Sequence, residues 1–243
     1  MNKQLDKAVC TDARWVGRAH CDKCYVRRMM LFSDLPESAF EHLLQPIDHF
    51  LHAPNSVIYE ADTRKKFVYS IRRGMVKLEH MAEDGTNRIV RLLGPGSVIG
   101  LELLDGAESY HQTAVAINDV DLCKIPVVTV NQLENAFPSL YKHVVEQLQD
   151  QLYLADQWIV ALGAGTAKQR VAQLLLVLVK FFADNKEEFI LLSREDMAAV
   201  LGIAVETVSR MIAEFKRQNI LYRTDNNLYM CNTVELKKIA QQD

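Results

Sequence analysis

Ser193-Arg-Glu-Asp-Met-Ala-Ala-Val-Leu-Gly202-Ile-Ala-Val-Glu-Thr-Val-Ser-Arg210-Met-Ile-Ala-Glu-Phe-Lys-Arg-Gln-Asn-Ile-Leu221 has the spacing of two helices joined by a tight turn. Ser193, with Asp196 three residues on, opens a short first helix as a near capping box. Gly202 supplies the turn, and a second helix is predicted from Val205 to Arg217. Along it Val208, Met211, Ile212 and Phe215 share one face and can seat the helix on a core. The opposite face presents Glu206, Ser209, Arg210, Ala213 and Arg217. Short or forked polar groups on an apolar back are what a helix needs to reach base edges in a DNA major groove. A solvated helix with a Glu206–Arg210 ion pair at i,i+4 would show the same pattern, so the rest of the chain has to decide between the two.

At 243 residues and 49% hydrophobic content the chain suits two modest domains with a core each. Its longest apolar stretch, Val171 to Phe182, is broken by Gln173 and Lys180, too short and too interrupted for a membrane span. The N-terminal 30 residues carry Lys3, Lys7, Arg14, Arg18, Lys23, Arg27 and Arg28 without a secretory apolar core, which points to the cytoplasm. A net charge of −3 argues against indiscriminate nucleic-acid binding. A dimeric, site-specific reader needs local phosphate contacts rather than a large basic field.

From Ser56 to Pro126 short strand-like runs are punctuated by turns. Ser56–Tyr59, Phe67–Ile71, Met75–Glu79, Arg88–Leu93, Thr113–Ile117 and Asp121–Ile125 are separated by Gly74, Asp84-Gly85, Gly94-Pro-Gly96 and Asp105-Gly106. That rhythm predicts a β-sandwich or jelly-roll barrel. Gly94-Pro-Gly-Ser-Val-Ile-Gly100 has the wrong spacing for a dinucleotide loop and is expected between strands with no helix after it. Ser139 to Gly163 reads as one long helix. Tyr141, Val145, Leu148, Leu152, Ala155, Ile159 and Leu162 alternate in steps of four and three, a coiled-coil seam, whereas packing on the chain's own barrel would call for a wider stripe. Asp156 flanks this seam. Gly163-Ala-Gly165 forms a hinge, Ala167 to Phe182 a further helix, and Leu221 to Cys231 a small hairpin, the wing. The expected fold is α+β: a cysteine-containing N-terminal segment over 1–30, a β-barrel sensor domain over 31–138, a dimerisation helix over 139–163 and a winged helix-turn-helix over 164–243.

Barrel, long helix, hinge and winged helix-turn-helix, in that order, resemble the CRP/FNR family of transcription regulators across nearly the whole chain. Val205-Glu-Thr-Val-Ser-Arg210 is similar to the recognition helix of the family's FNR branch. The resemblance implies a cytoplasmic homodimer on double-stranded DNA that works with RNA polymerase, with neither membrane attachment nor catalysis. It implies that Glu206, Ser209 and Arg210, with Thr207 and Arg217 beside them, read a TTGAT-type half-site. Arg210 suits guanine O6 and N7, Glu206 a cytosine amine, and Ser209 a thymine methyl. Ala204 departs from the hydroxyl residue common at this helix start, removing a side-chain cap. The family's cyclic-nucleotide pocket resembles Gly100-Leu-Glu-Leu-Leu-Asp-Gly106, but Tyr110 and His111 stand where an arginine would pair the phosphate. Cyclic AMP is therefore not the expected effector.

There are five cysteines, Cys10, Cys21, Cys24, Cys123 and Cys231, and in a cytoplasmic chain they suggest a metal or redox site rather than a disulfide framework. Asp121-Leu-Cys-Lys-Ile-Pro126 is similar to the barrel-cysteine segment of FNR-type oxygen sensors. That resemblance implies a 4Fe-4S cluster held by Cys21, Cys24, Cys123 and a further N-terminal cysteine. The FNR pattern of Cys-x2-Cys-x5-Cys has Met30 at its third position here, which leaves Cys10 as the fourth ligand and His20 as a fallback. Cys231 is expected to be a bystander. A tetrahedral zinc site, free thiols with Cys123 as a small buried hydrophobe, and a haem sensor using His20, His80 or His111 remain as alternatives.

Overall fold

A computed structural model describes residues 13–21, 24, 31–225 and 227–241. Nine strands precede the helices: β1 (Ala13–Arg18), β2 (Asp48–His52), β3 (Val57–Tyr59), β4 (Phe67–Arg73), β5 (Val76–Met81), β6 (Asn87–Leu93), β7 (Val98–Ile99), β8 (Thr113–Ala116) and β9 (Val120–Pro126). They form a five-stranded sheet, β1-β2-β9-β4-β7, and a four-stranded sheet, β3-β8-β5-β6. Every neighbouring pair in the first sheet is antiparallel. The six strands expected from turn spacing are all present, and the jelly-roll reading holds.

Two compact units emerge, one from residues 1–78 and 95–145, the other from 79–94 and 146–243. The core of the first gathers Leu31, Phe32, Leu35, Ile47, Val68, Val98, Leu101, Ile125, Val130, Leu133 and Leu140 around Cys123. Alternation along β4, β7 and β9 turns Val68, Val98, Cys123 and Ile125 to this core, the other residues reach it from helices and connecting segments, and their burial supplies the main drive to fold. Gly74 joins β4 to β5 at φ +92°, and a β-carbon there would collide with Asp119 O and lie 2.9 Å from Val120 Cα. Only glycine permits that turn.

The second unit holds most of the helices. Helix α1 (Val127–Ala136) packs on β9 in the first unit, and α2 (Ser139–Leu162) begins there and continues into the second. Next come α3 (Ala167–Phe182), β10 (Phe189–Ile190), α4 (Arg194–Leu201), α5 (Val205–Arg217), β11 (Leu221–Asp225), β12 (Leu228–Cys231) and α6 (Thr233–Gln241). Thr166 and Gln169 form a reciprocal capping box at the start of α3, satisfying backbone donors that the helix itself leaves open. Strands β11 and β12 make the wing, and β10 pairs with β12 to complete a three-stranded sheet.

Three expectations need correction. The N-terminal segment is not irregular throughout, because β1 pairs with β2 at the sheet edge. Gly17 interrupts its register there, so no clean alternation marks it in the sequence. The glycines of 94–100 do run into a helical turn, a 3-10 segment at Leu101–Asp105 capped by Gly100 at φ +79°. That turn is too short to bind a phosphate as a helix would, so the rejection of a dinucleotide loop stands. Lastly α1, α6, β2 and β7 were not expected, since the short or weakly periodic runs that form them are stabilised by tertiary packing.

Candidate nucleic-acid interface and cysteine cleft

Helices α4 and α5 form the helix-turn-helix. Ser193 Oγ accepts a hydrogen bond of 2.9 Å from the Asp196 amide, capping α4 as its spacing requires. Gly202 ends α4 in the left-handed region at φ +62°. Its amide returns to Ala198 O at 2.7 Å, and the neighbouring Ile203 amide reaches the same oxygen. Ala204 precedes α5 without a side-chain cap. Within the second unit, the turn lies against β6, where the Arg88 guanidinium occupies the space that a Gly202 side chain would fill.

Along α5, Val208, Ile212 and Phe215 are fully buried and Met211 partly so. Glu206, Arg210, Ala213 and Arg217 are exposed, with Thr207 and Ser209 half-buried between them. Arg210 Nη2 donates to Thr207 Oγ1 at 3.4 Å. Among the described residues no Glu206–Arg210 ion pair forms, so the solvated-pair reading loses its one specific contact. The outer polar row is left presented by a rigid apolar back.

Contacts that residue spacing did not reveal hold this helix in place. Lys168 Nζ on α3 donates to Glu214 at 2.6 Å, and Gln218 Nε2 reaches the same carboxylate. Arg170 on α3 bonds the backbone oxygens of both Leu162 and Leu201. In the wing, Lys216 Nζ donates to Tyr229 O–H at 3.2 Å and lies over its ring.

The long helix α2 has two apolar stripes. Leu140, Trp158 and Leu162 are buried within the chain, together with Gln151. Around the other side Tyr141, Leu148, Leu152 and Ile159 stand exposed, Ile159 at 72%. Val145 and Ala155 between them are half-buried, and Asp156 is exposed beside them. The structure therefore brings six of the seven seam residues onto an open face, while Leu162, at 7% exposure, turns inward.

Cys21, Cys24 and Cys123 line a common cleft of about 180 Å³, together with Arg18, Ala19, His20, His49 and Arg72. Leu31, Phe32, Ile47, Ser70 and Ile125 surround the same three thiols on the core side. Burial pushes the Cys123 thiol up to about 12; neighbouring Cys21 raises it further, whereas Arg72 acts the other way. Among the described residues no group of three or more His, Cys, Asp and Glu side chains is arranged to hold a single metal ion. Thiols are the donor type that iron–sulfur centres take, and the described residues bring three of them to this cleft, one fewer than such a centre uses. Cys10 and Met30 lie outside the described residues. Cys231, half-buried in the wing and pushed up to about 11 by burial, is on a different unit from the cleft.

Around the Gly100–Gly106 segment the first unit holds buried tyrosines. Tyr110 is fully buried and stacks on Tyr59 with ring centroids 3.8 Å apart. Tyr59 stacks in turn on Tyr69. The Tyr110 hydroxyl donates to Phe67 O at 2.7 Å, and Glu102 accepts from the His111 amide at 3.2 Å. No helix among the described residues is long and apolar enough to cross a membrane.

Residues 51–136 match the family model of the cyclic nucleotide-binding domain, and residues 169–239 that of the Crp-like helix-turn-helix domain. The chain is 26% identical over 231 residues to the transcriptional regulatory protein btr of Bordetella pertussis, covering 93% of this chain and 95% of that protein. It is 24% identical over 230 residues to the fumarate and nitrate reduction regulatory protein of Escherichia coli, covering 91% and 90%. Among solved structures, FixK2 from Bradyrhizobium japonicum matches with a TM-score of 0.70 at 25% identity, over 81% of this chain and 98% of that one. Barrel, long helix and DNA-reading helix pair thus agree in order, in geometry and in relatives: this chain is a DNA-binding transcription regulator, not an enzyme, and belongs to the CRP/FNR family.

Proposed function

We propose that the protein is an FNR-type regulator that binds a TTGAT-like palindrome as a homodimer and is controlled by an oxygen- or redox-sensitive 4Fe-4S cluster. The observation that carries this reading is the meeting of Cys21 and Cys24, from the N-terminal segment, with Cys123 of β9 at one cleft. These three thiols, with Cys10, would hold the cluster; when bound, it supplies chemistry that oxygen or a change of redox state can alter. The domain roles follow: sensor over 31–138, dimerisation over 139–163, DNA binding over 164–243. Glu206, Thr207, Ser209, Arg210 and Arg217 would contact DNA, with Arg210 on guanine. The exposed stripe of α2 would be covered by a second copy, with Asp156 approaching its symmetry mate. RNA polymerase is the expected partner on DNA, and the cytoplasm the expected place. The tyrosine-filled barrel supports an effector other than cyclic AMP.

A second reading, a thiol or zinc site without a cluster, is favoured by the packing of Cys123 into the hydrophobic core. The visible spectrum of protein purified without oxygen separates the two. A broad shoulder near 400 nm, lost in Cys21→Ser, Cys24→Ser and Cys123→Ser but kept in Cys231→Ser, is expected. A colourless protein that holds zinc, or no metal, would replace the cluster with the second reading.

A further inference from the structure

One wall of the cysteine cleft is built from charged side chains that the cluster reading does not use. His49 on β2, Asp121 on β9 and Arg72 on β4 come from three adjacent strands. His49 and Ser70 each stand opposite Cys123 in the register. Residues directly paired, or two apart on one strand, share a face, so the sheet places His49 and Asp121 on the side of the thiol; Arg72 stands at a register irregularity of β4 and lines the cleft with His49. His49 Nε2 lies 2.5 Å from Asp121 Oδ1, and Arg72 Nη1 donates to the same oxygen at 3.4 Å. Arg72 Nη1 is also 2.9 Å and 3.2 Å from the two His49 ring nitrogens. The side chains are 18%, 12% and 14% exposed for His49, Asp121 and Arg72.

Burying an ion pair in a barrel wall costs more desolvation than the pair usually returns. A folding role therefore explains the trio poorly. The tighter contact of Asp121 is with His49, and Arg72 both touches this carboxylate and lines the cleft. Gathered thiolates bring negative charge, and the potential and affinity of such a centre depend on the charges packed around its ligands. Among the described residues that line the cleft, Arg18, exposed, and Arg72, half-buried, are the arginines. We propose that Arg72 is a positioning residue that offsets the negative charge of the thiolates in this cleft, held at its wall by Asp121 and His49. The trio thereby sets the reduction potential of an iron–sulfur centre held there. The proposal rests on the reading of Cys21, Cys24 and Cys123 as a metal-binding site.

The test uses full-length protein. It is reconstituted anaerobically with ferrous iron and sulfide and titrated spectroelectrochemically. Arg72→Gln should move the one-electron midpoint to more negative potential by about tenfold in the oxidised-to-reduced ratio, about 59 mV. Asp121→Asn, which removes a negative charge at the same place, should shift the midpoint the opposite way. Arg72→Lys, which keeps the charge, should stay near the wild type. Opposite signs for the two halves of one ion pair are not the signature of a merely structural contact. Thermal melts identify any variant that does not fold; if Arg72→Gln is one, Asp121→Asn against Arg72→Lys still reads the sign. Full loading with unchanged values, or shifts in the same direction, would overturn the role of Arg72 and leave the cysteine site standing. A wild type that takes up no iron and sulfide would overturn the cysteine site, and the role of Arg72 with it.

Discussion

Replacing Gly202 by alanine probes the turn on which the DNA-reading surface depends. Its φ of +62° lies in the left-handed region, where an L-residue with a β-carbon is disfavoured by roughly 1–2 kcal/mol. The new methyl would also press on the Arg88 guanidinium. That is the far end of a flexible side chain, so it can swing aside without moving backbone. Gly85→Ala is the reference, because Gly85 has φ +80° with nothing within 4 Å of an added β-carbon. Both variants should lose about 1–2 kcal/mol in urea melts. Any excess for Gly202→Ala measures the displacement of Arg88, and Arg88→Ala in a double-mutant cycle should remove that excess. DNA affinity, read by fluorescence anisotropy, should fall for Gly202→Ala without a change in base preference, because α5 is re-angled while its outer face is kept. Gly85→Ala should bind DNA normally. If Gly202→Ala is as stable as the wild type, or if both variants weaken DNA binding alike, the turn does not set the position of α5.

Arg210→Ala should cost roughly 1–3 kcal/mol on a TTGAT-type palindrome and relax the preference at one guanine, as read by binding to base-substituted duplexes. Asp156→Ala should favour the dimer by on the order of 1 kcal/mol, several-fold in Kd, since a like charge at a two-fold seam opposes association; sedimentation of wild type and variant checks this, and a wild type already tightly dimeric without metal would count against a dimerisation switch. Burial lowers the pKa of His52 from 6.5 to about 4, so the unfolded chain binds the proton first. Stability present above pH 6.5 should fall as the pH drops toward 4, by on the order of 3 kcal/mol at the low end; urea melts across this range should be markedly flatter for His52→Gln.

Features governed by neighbours in the chain were legible from the residues themselves. The Ser193 cap, the Gly202 turn and the Val208–Ile212–Phe215 face follow from helical geometry over a few residues, and α5 is found where they place it. The four-three spacing of α2 likewise marked a stripe that the structure leaves open, because a regular helix converts spacing directly into direction. Strand β1 was not legible, since its pairing with β2 joins residues 30 to 39 apart and Gly17 breaks its pattern. Nor was the cleft's charged wall: His49, Arg72 and Asp121 carry no shared motif and meet only because β2, β9 and β4 lie side by side in register. Leu162 fits the seam by spacing, yet it is buried in its own chain. Chain-local geometry sets which face a side chain occupies; which partner covers that face depends on contacts between distant segments, and these exist only once the sheet has closed.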